Sequence, residues 1–247
     1  MRIDLTPAVK QILIACIVLF TGTYLLQMRG LVDLEFLLAA HYPNSGLFQP
    51  WQIITHMFMH DSKNIGHLVF NMFGLVSIGM IMEDFLGTKK FVKLYFISGL
   101  GALAVHFLVQ VFQLHYQFGI WLPSPADLGL GIEGNTIYSN GSIIKSQEAL
   151  QNVGGIIAGS VEGASGALYG VVVAYAFLFP NRTLMIMFVP YPIKAKYLIP
   201  GFLVLDVVLG ITHPKGDNVA HFAHIGGALF GFLLVWYWRK FDRKNFF

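Results

Sequence analysis

Uncharged apolar stretches recur along the chain, separated by short polar connections, and six of them are long enough to form spanning helices. They cover roughly 11–28, 64–83, 94–113, 164–181, 196–212 and 218–238. The fifth is interrupted by Asp206 and entered through Pro190, Pro192 and Pro200. The fourth begins beside Gly163, which sets Ser165 near a helix N-terminus. Two segments do not fit a span. Leu31 to Gln52 mixes apolar residues with Asp33, Glu35, His41, Pro43 and Pro50, and reads as lying along the outer interface. Residues 114–162 form a long external connection rich in Gly, Ser and Asn, containing the glycosylation-type triplet Asn140-Gly141-Ser142.

Composition agrees with this pattern. The 247 residues are 55% hydrophobic and 12% charged, with mean hydropathy +0.64, against about 25% charged in soluble domains. The prediction is a single all-α membrane domain over 1–247. The first run, between Lys10 and Arg29, is long for a signal core and lacks a small-residue cleavage pattern, so it reads as a retained span. Twelve of the 16 Lys and Arg fall on one face of the six-span arrangement, which predicts cytoplasmic termini. The basic residues are scattered rather than striped, so nucleic acid is not an expected partner. Cys16 is the single cysteine, which excludes an intramolecular disulfide.

Polar side chains in such runs are costly unless they face one another or water. Ser165, in Gly163-Ala164-Ser165-Gly166, and Tyr169 share a helix face. So do His224, Gly227 and Gly231, and glycines on the histidine's own face allow close helix approach. If those two helices meet, Ser165 gains a general base. No third carboxylate is obvious, so a Ser165–His224 dyad is the simpler reading, with Tyr169 packed on the imidazole. His67 and Asn71, four apart, could receive an oxyanion. His56 and His60 are also four apart, but the His-Glu-x-x-His of metalloproteases is absent, so no metal is expected. Each signal alone has a bland reading: a packing serine, a packing glycine pair, an interfacial histidine. Their joint order carries the weight.

At this point the chain resembles the rhomboid intramembrane serine proteases of bacterial type. Trp51-Gln52, Thr55-His56 and His60 resemble the approach to that family's second span, and Glu83 with Gly87 resembles its end. The glycine-serine and histidine-glycine motifs resemble those carrying the family's nucleophile and base. The resemblance implies a six-transmembrane-helix bundle in the bacterial inner membrane, without a cofactor. It implies Ser165 as nucleophile, His224 as base, His67 and Asn71 as oxyanion donors, Tyr169 against the base, and Gly163, Gly227 and Gly231 as structural positions. Substrates would be single-span transmembrane proteins that unwind locally, admitted near the second and fifth spans. Two departures stand out: Gln52 replaces the arginine that often follows the tryptophan, and the 114–162 connection is long. His221 is a rival base. Alternatives are a silent relative that escorts membrane proteins, or a small transporter built on the histidines. The oligomeric state is open.

Overall fold

The computed structural model describes residues 4–133, 136–139, 153–184, 191–212 and 219–242. Among them run helices α1 (Pro7–Met28), α2 (Leu34–Leu38), α3 (Gln52–Thr55), α4 (Ile65–Leu86), α5 (Thr88–Phe118), α6 (Ser165–Leu178), α7 (Ala195–Thr212) and α8 (His221–Phe241). Four of these, α1, α4, α5 and α7, are long and apolar enough to cross a membrane; α6 is a shorter apolar helix of 14 residues. The protein is a mostly helical, multi-pass membrane protein.

Helix boundaries depart from the apolar runs for local reasons. α5 extends beyond 94–113 at both ends, because lysines do not break a helix when their stems lie along its surface and their heads reach water. Lys90 does so, ion-pairing Asp242 at 3.0 Å across the ring of Trp238. α6 stops before 181 because Phe179 precedes Pro180, and proline disfavours helical geometry in the preceding residue. α4 passes through a π-helical stretch at Leu75–Gly79.

α4 and α5 join at Gly87, whose φ of +75° suits glycine. Just before that turn, Glu83 is buried and accepts from the main-chain N–H groups of Ala8 and Val9 at 2.8 and 2.9 Å, and from the Thr88 hydroxyl at 2.7 Å. One carboxylate thus caps α1, whose first N–H groups lack partners within the helix, and ties it to the α4–α5 turn. The centre of the bundle is the meeting of α5, α6 and α8. Here α6 and α8 meet main chain to main chain: a Cβ on Gly227 would run into the carbonyl of Gly166, and one on Gly231 into the backbone of Gly170.

The connections are not wholly irregular. β1 (Ala40–His41) pairs antiparallel with β4 (Ser160–Val161), β2 (Leu130–Glu133) with β3 (Thr136–Ser139), and β5 (Thr183–Leu184) with β6 (Ile193–Lys194). Leu31 to Gln52 contains α2 and β1. Part of the long connection also has its own small core: Tyr42, Leu114, Leu128, Leu130, Val153 and Ile157 pack together. The triplet Asn140-Gly141-Ser142 lies outside the described residues.

Candidate active site

Ser165 is the first residue of α6, and His224 lies one turn into α8. Because the two helices touch backbone to backbone at Gly166 and Gly227, the side chains beside that contact are brought together. Ser165 Oγ lies 2.9 Å from His224 Nε2. His224 is buried, and Tyr169, one turn on from Ser165, stacks on it with ring centroids 4.2 Å apart and planes inclined by 7°.

The far side of the imidazole holds what the sequence reading did not assign. Asp206 on α7 is buried, and its Oδ1 accepts from His224 Nδ1 at 3.1 Å and from His221 Nδ1 at 2.6 Å. Beside the expected pair, a buried carboxylate thus faces the His224 imidazole. The available signal was that Asp206 is the one acid deep within an apolar run, together with its unplaced polarity. His221, the rival base, turns to Asp206 by one ring nitrogen, while Ser165 bonds His224. The donor atoms of Asp206, His221 and His224 lie within 4.8 Å of one another, close enough for a divalent ion. The 2.6 and 3.1 Å separations are those of hydrogen bonds between these groups.

Two protons' whereabouts follow. A neutral imidazole donates from one nitrogen and accepts at the other. With Nδ1–H directed at Asp206, Nε2 keeps its lone pair toward the Ser165 hydroxyl.

His67 and Asn71 lie on one face of α4. His67 borders the serine loop closely, since a Cβ on Gly163 would lie 2.9 Å from His67 Nε2 and 3.5 Å from Ser165 Oγ. Gly163 adopts φ +125°, so a side chain there is excluded twice, by backbone conformation and by space. Asn71 is buried and its Nδ2 donates to His67 O at 2.8 Å, along its own helix. Beneath His67, the His60 ring stands edge-on at 5.2 Å between centroids. Burial holds both His56 and His60 down to about 4, so neither carries charge at neutral pH.

Gln52, where the family's arginine is absent, is buried and organises the first loop. Its Oε1 accepts from Gln49 N at 3.0 Å and His41 N at 3.4 Å, and its Nε2 donates to Leu37 O at 3.2 Å. Trp51 Nε1 donates to the same carbonyl at 3.0 Å.

The Rhomboid domain family model matches residues 47–120 and 135–241. The chain belongs to the rhomboid family. It is 25% identical over 225 residues to RHOMBOID-like protein 12, mitochondrial, of Arabidopsis thaliana, covering 81% of this chain and 57% of that protein. Against Rhomboid protease AarA of Providencia stuartii it is 24% identical, covering 74% of this chain and 54% of the relative. Against Rhomboid protease GlpG of Yersinia pseudotuberculosis it is 23% identical, covering 99% and 66%. The chain thus spans about half to two thirds of the length of these relatives, which come from mitochondria and bacteria alike.

Proposed function

We propose that this rhomboid is an intramembrane serine protease that cuts transmembrane segments of other membrane proteins. The observation that carries the reading is the 2.9 Å contact between Ser165 Oγ and His224 Nε2. Ser165 Oγ attacks the scissile carbonyl as its proton passes to His224 Nε2. The tetrahedral oxyanion takes hydrogen bonds from the Ser165 N–H, His67 and Asn71. Asn71 Nδ2 spends one N–H on the His67 carbonyl and has the second to offer. His224 then gives its proton to the leaving amine, and water, activated by the same nitrogen, opens the acyl-enzyme. Asp206 and Tyr169 hold the imidazole in the tautomer that accepts at Nε2.

The relatives named as rhomboid proteases support the same reading. We read the fold as six spans in a single domain, adding α6 and α8 to the four long apolar helices. At 1.5 Å per residue α6 is only about 21 Å long, against a hydrocarbon core of about 30 Å. On this reading its N-terminal Ser165 sits below the outer lipid boundary. The Lys and Arg asymmetry puts both termini in the cytoplasm, and we assign the chain to a bacterial inner membrane. Substrates are single-span proteins whose helix unwinds locally, because a helical backbone keeps its carbonyls bonded and buried.

Labelling of the purified protein in liposomes with a fluorophosphonate probe tests the nucleophile. The parent is expected to label and the Ser165→Ala variant not to; equal labelling of both removes Ser165 from its role. A transporter built on the histidines would be indifferent to that substitution, and a silent relative would not label at all.

A further inference from the structure

Asp206, His221 and His224 come together because two helices pass closely at a glycine. Asp206 and Gly210 lie one turn apart on α7. A Cβ on Gly210 would sit 3.2 Å from His221 Cβ and 3.1 Å from Phe222 Cε2, so α7 lies close against the first turn of α8. His221 and His224, three apart on that turn, share one face. Both imidazoles present Nδ1 to the same oxygen, Asp206 Oδ1, at 2.6 and 3.1 Å. Asp206, His221 and His224 are 5%, 7% and 9% exposed, so the group is screened from bulk water.

Orienting a base accounts for only part of this group. One histidine and one carboxylate oxygen suffice for it, which leaves the His221 imidazole unexplained. The other carboxylate oxygen is unexplained too: Asp206 Oδ2 is buried and has no hydrogen-bond partner among the described residues, a costly setting. Two imidazoles and one carboxylate form a three-ligand set for zinc, with a fourth position for water. The three donor atoms lie within 4.8 Å of one another, and ligand bonds of about 2.0–2.2 Å let one ion bridge them after small side-chain movements. Asp206 Oδ2 is at hand for a second bond from the carboxylate. The aspartate charge offsets half that of a divalent ion in a buried setting. Nitrogen donors favour zinc over magnesium and calcium, which take oxygen ligands.

We propose that Asp206, His221 and His224 form a zinc site, and that an ion bound there holds the protease inactive. The inhibitory half rests on the serine-protease reading above; the binding half does not. Zinc takes the lone pair of His224 Nδ1, so the proton that this nitrogen gave to Asp206 moves to Nε2. Nε2 then donates to Ser165 Oγ across the same 2.9 Å and has no lone pair left to receive the hydroxyl proton. The nucleophile stays in place and loses its base. When the ion leaves, the proton returns to Nδ1 and the base is restored. Zinc is thus an inhibitor here and takes no part in cleavage.

Two readouts test this on the full-length protein after dialysis against EDTA. The first is independent of catalysis: cobalt(II) added to the Ser165→Ala variant gives the visible absorption of a four-coordinate ion, and zinc displaces it. Adding His221→Asn or Asp206→Asn to that variant abolishes the bands. The second uses the active protein in liposomes. Cleavage of a single-span substrate and fluorophosphonate labelling fall together as free zinc rises, magnesium at the same concentration leaves both unchanged, and EDTA restores both. In His221→Asn the zinc needed for half-inhibition rises at least about tenfold. His60→Gln, which alters the other close histidine pair, His60 and His67, keeps the parental zinc response. Undiminished zinc inhibition in His221→Asn, cobalt bands that survive both substitutions, or an active parent indifferent to zinc overturns the inference. Should His221→Asn fail to fold, the cobalt bands of Asp206→Asn decide. A parent that binds cobalt through these residues yet neither cleaves nor labels without zinc supports the ion site and overturns the protease reading.

Discussion

The Asp206 carboxylate stands 3.1 Å from His224 Nδ1, on the edge of the ring opposite the one that meets Ser165. It shares that oxygen with His221, so one buried acid serves two histidines. The arrangement fixes which nitrogen of His224 is free to accept a proton, and it steadies the imidazolium that forms when it does.

Replacing Asp206 with Asn leaves the shape but permits the amide to donate to Nδ1, which turns the tautomer around. We expect kcat to fall on the order of 10²- to 10⁴-fold with little change in KM. Steady-state kinetics on a single-span substrate checks this. A fall in affinity alone would make Asp206 a packing residue.

His221 and His224 are separable by substitution. His224→Ala should remove cleavage and probe labelling, because Ser165 then has no base. His221→Asn, which can still donate to Asp206, should lower kcat/KM by less than about tenfold. A reversed order of damage would transfer the base to His221.

The contact of Gly227 with the Gly166 carbonyl predicts a steep cost for a single methyl group. Gly227→Ala meets main chain rather than a flexible side chain. Overpacking of this kind costs about 1–3 kcal/mol, and here it also drives Ser165 from His224. The unfolding midpoint in detergent should drop, and activity should fall even at temperatures where the variant remains folded.

Removal of Glu83 tests the fastening of α1. Glu83→Ala leaves the Ala8 and Val9 N–H groups without acceptors in a buried setting, at a cost of about 1–3 kcal/mol. Limited proteolysis near the start of α1 should become faster. An unchanged digestion rate would show that apolar packing alone holds that helix.

Stability should depend on pH with a definite sign. His56 and His60 are held down to about 4 from an ordinary 6.5, so the unfolded chain binds protons there more readily than the folded one. Their contribution is whole above about pH 6.5 and is lost as pH falls toward about 4. Glu162, raised to about 9 by burial, carries the opposite slope: its contribution is whole below about pH 4.5 and is lost as pH rises through about 9. Thermal unfolding across pH should show a flatter acid side in His60→Gln and a flatter alkaline side in Glu162→Gln.

The long helices were legible in the sequence because each carries a strongly apolar run, and such runs are what a bilayer requires of them. Their ends were less so: Lys89, Lys90 and Lys93 mark where burial stops, not where α5 starts. Ser165 and His224 could be expected to meet from Gly227 and Gly231, which share the histidine's face and let a neighbouring helix come close. Asp206 could not be assigned, because nothing in a linear pattern says which face of α7 meets α8.

The seam of glycines between α6 and α8 has one more outcome. Main chain pressed on main chain has no rotamers to rearrange, so the oxygen-to-nitrogen spacing is set by the stiffest part of the molecule. Changes in acyl-chain length, detergent or temperature will disturb loops and outlying helices first. Inactivation under mild solubilisation should therefore reflect a lost approach for the polypeptide being cut, while the reacting pair itself is still assembled.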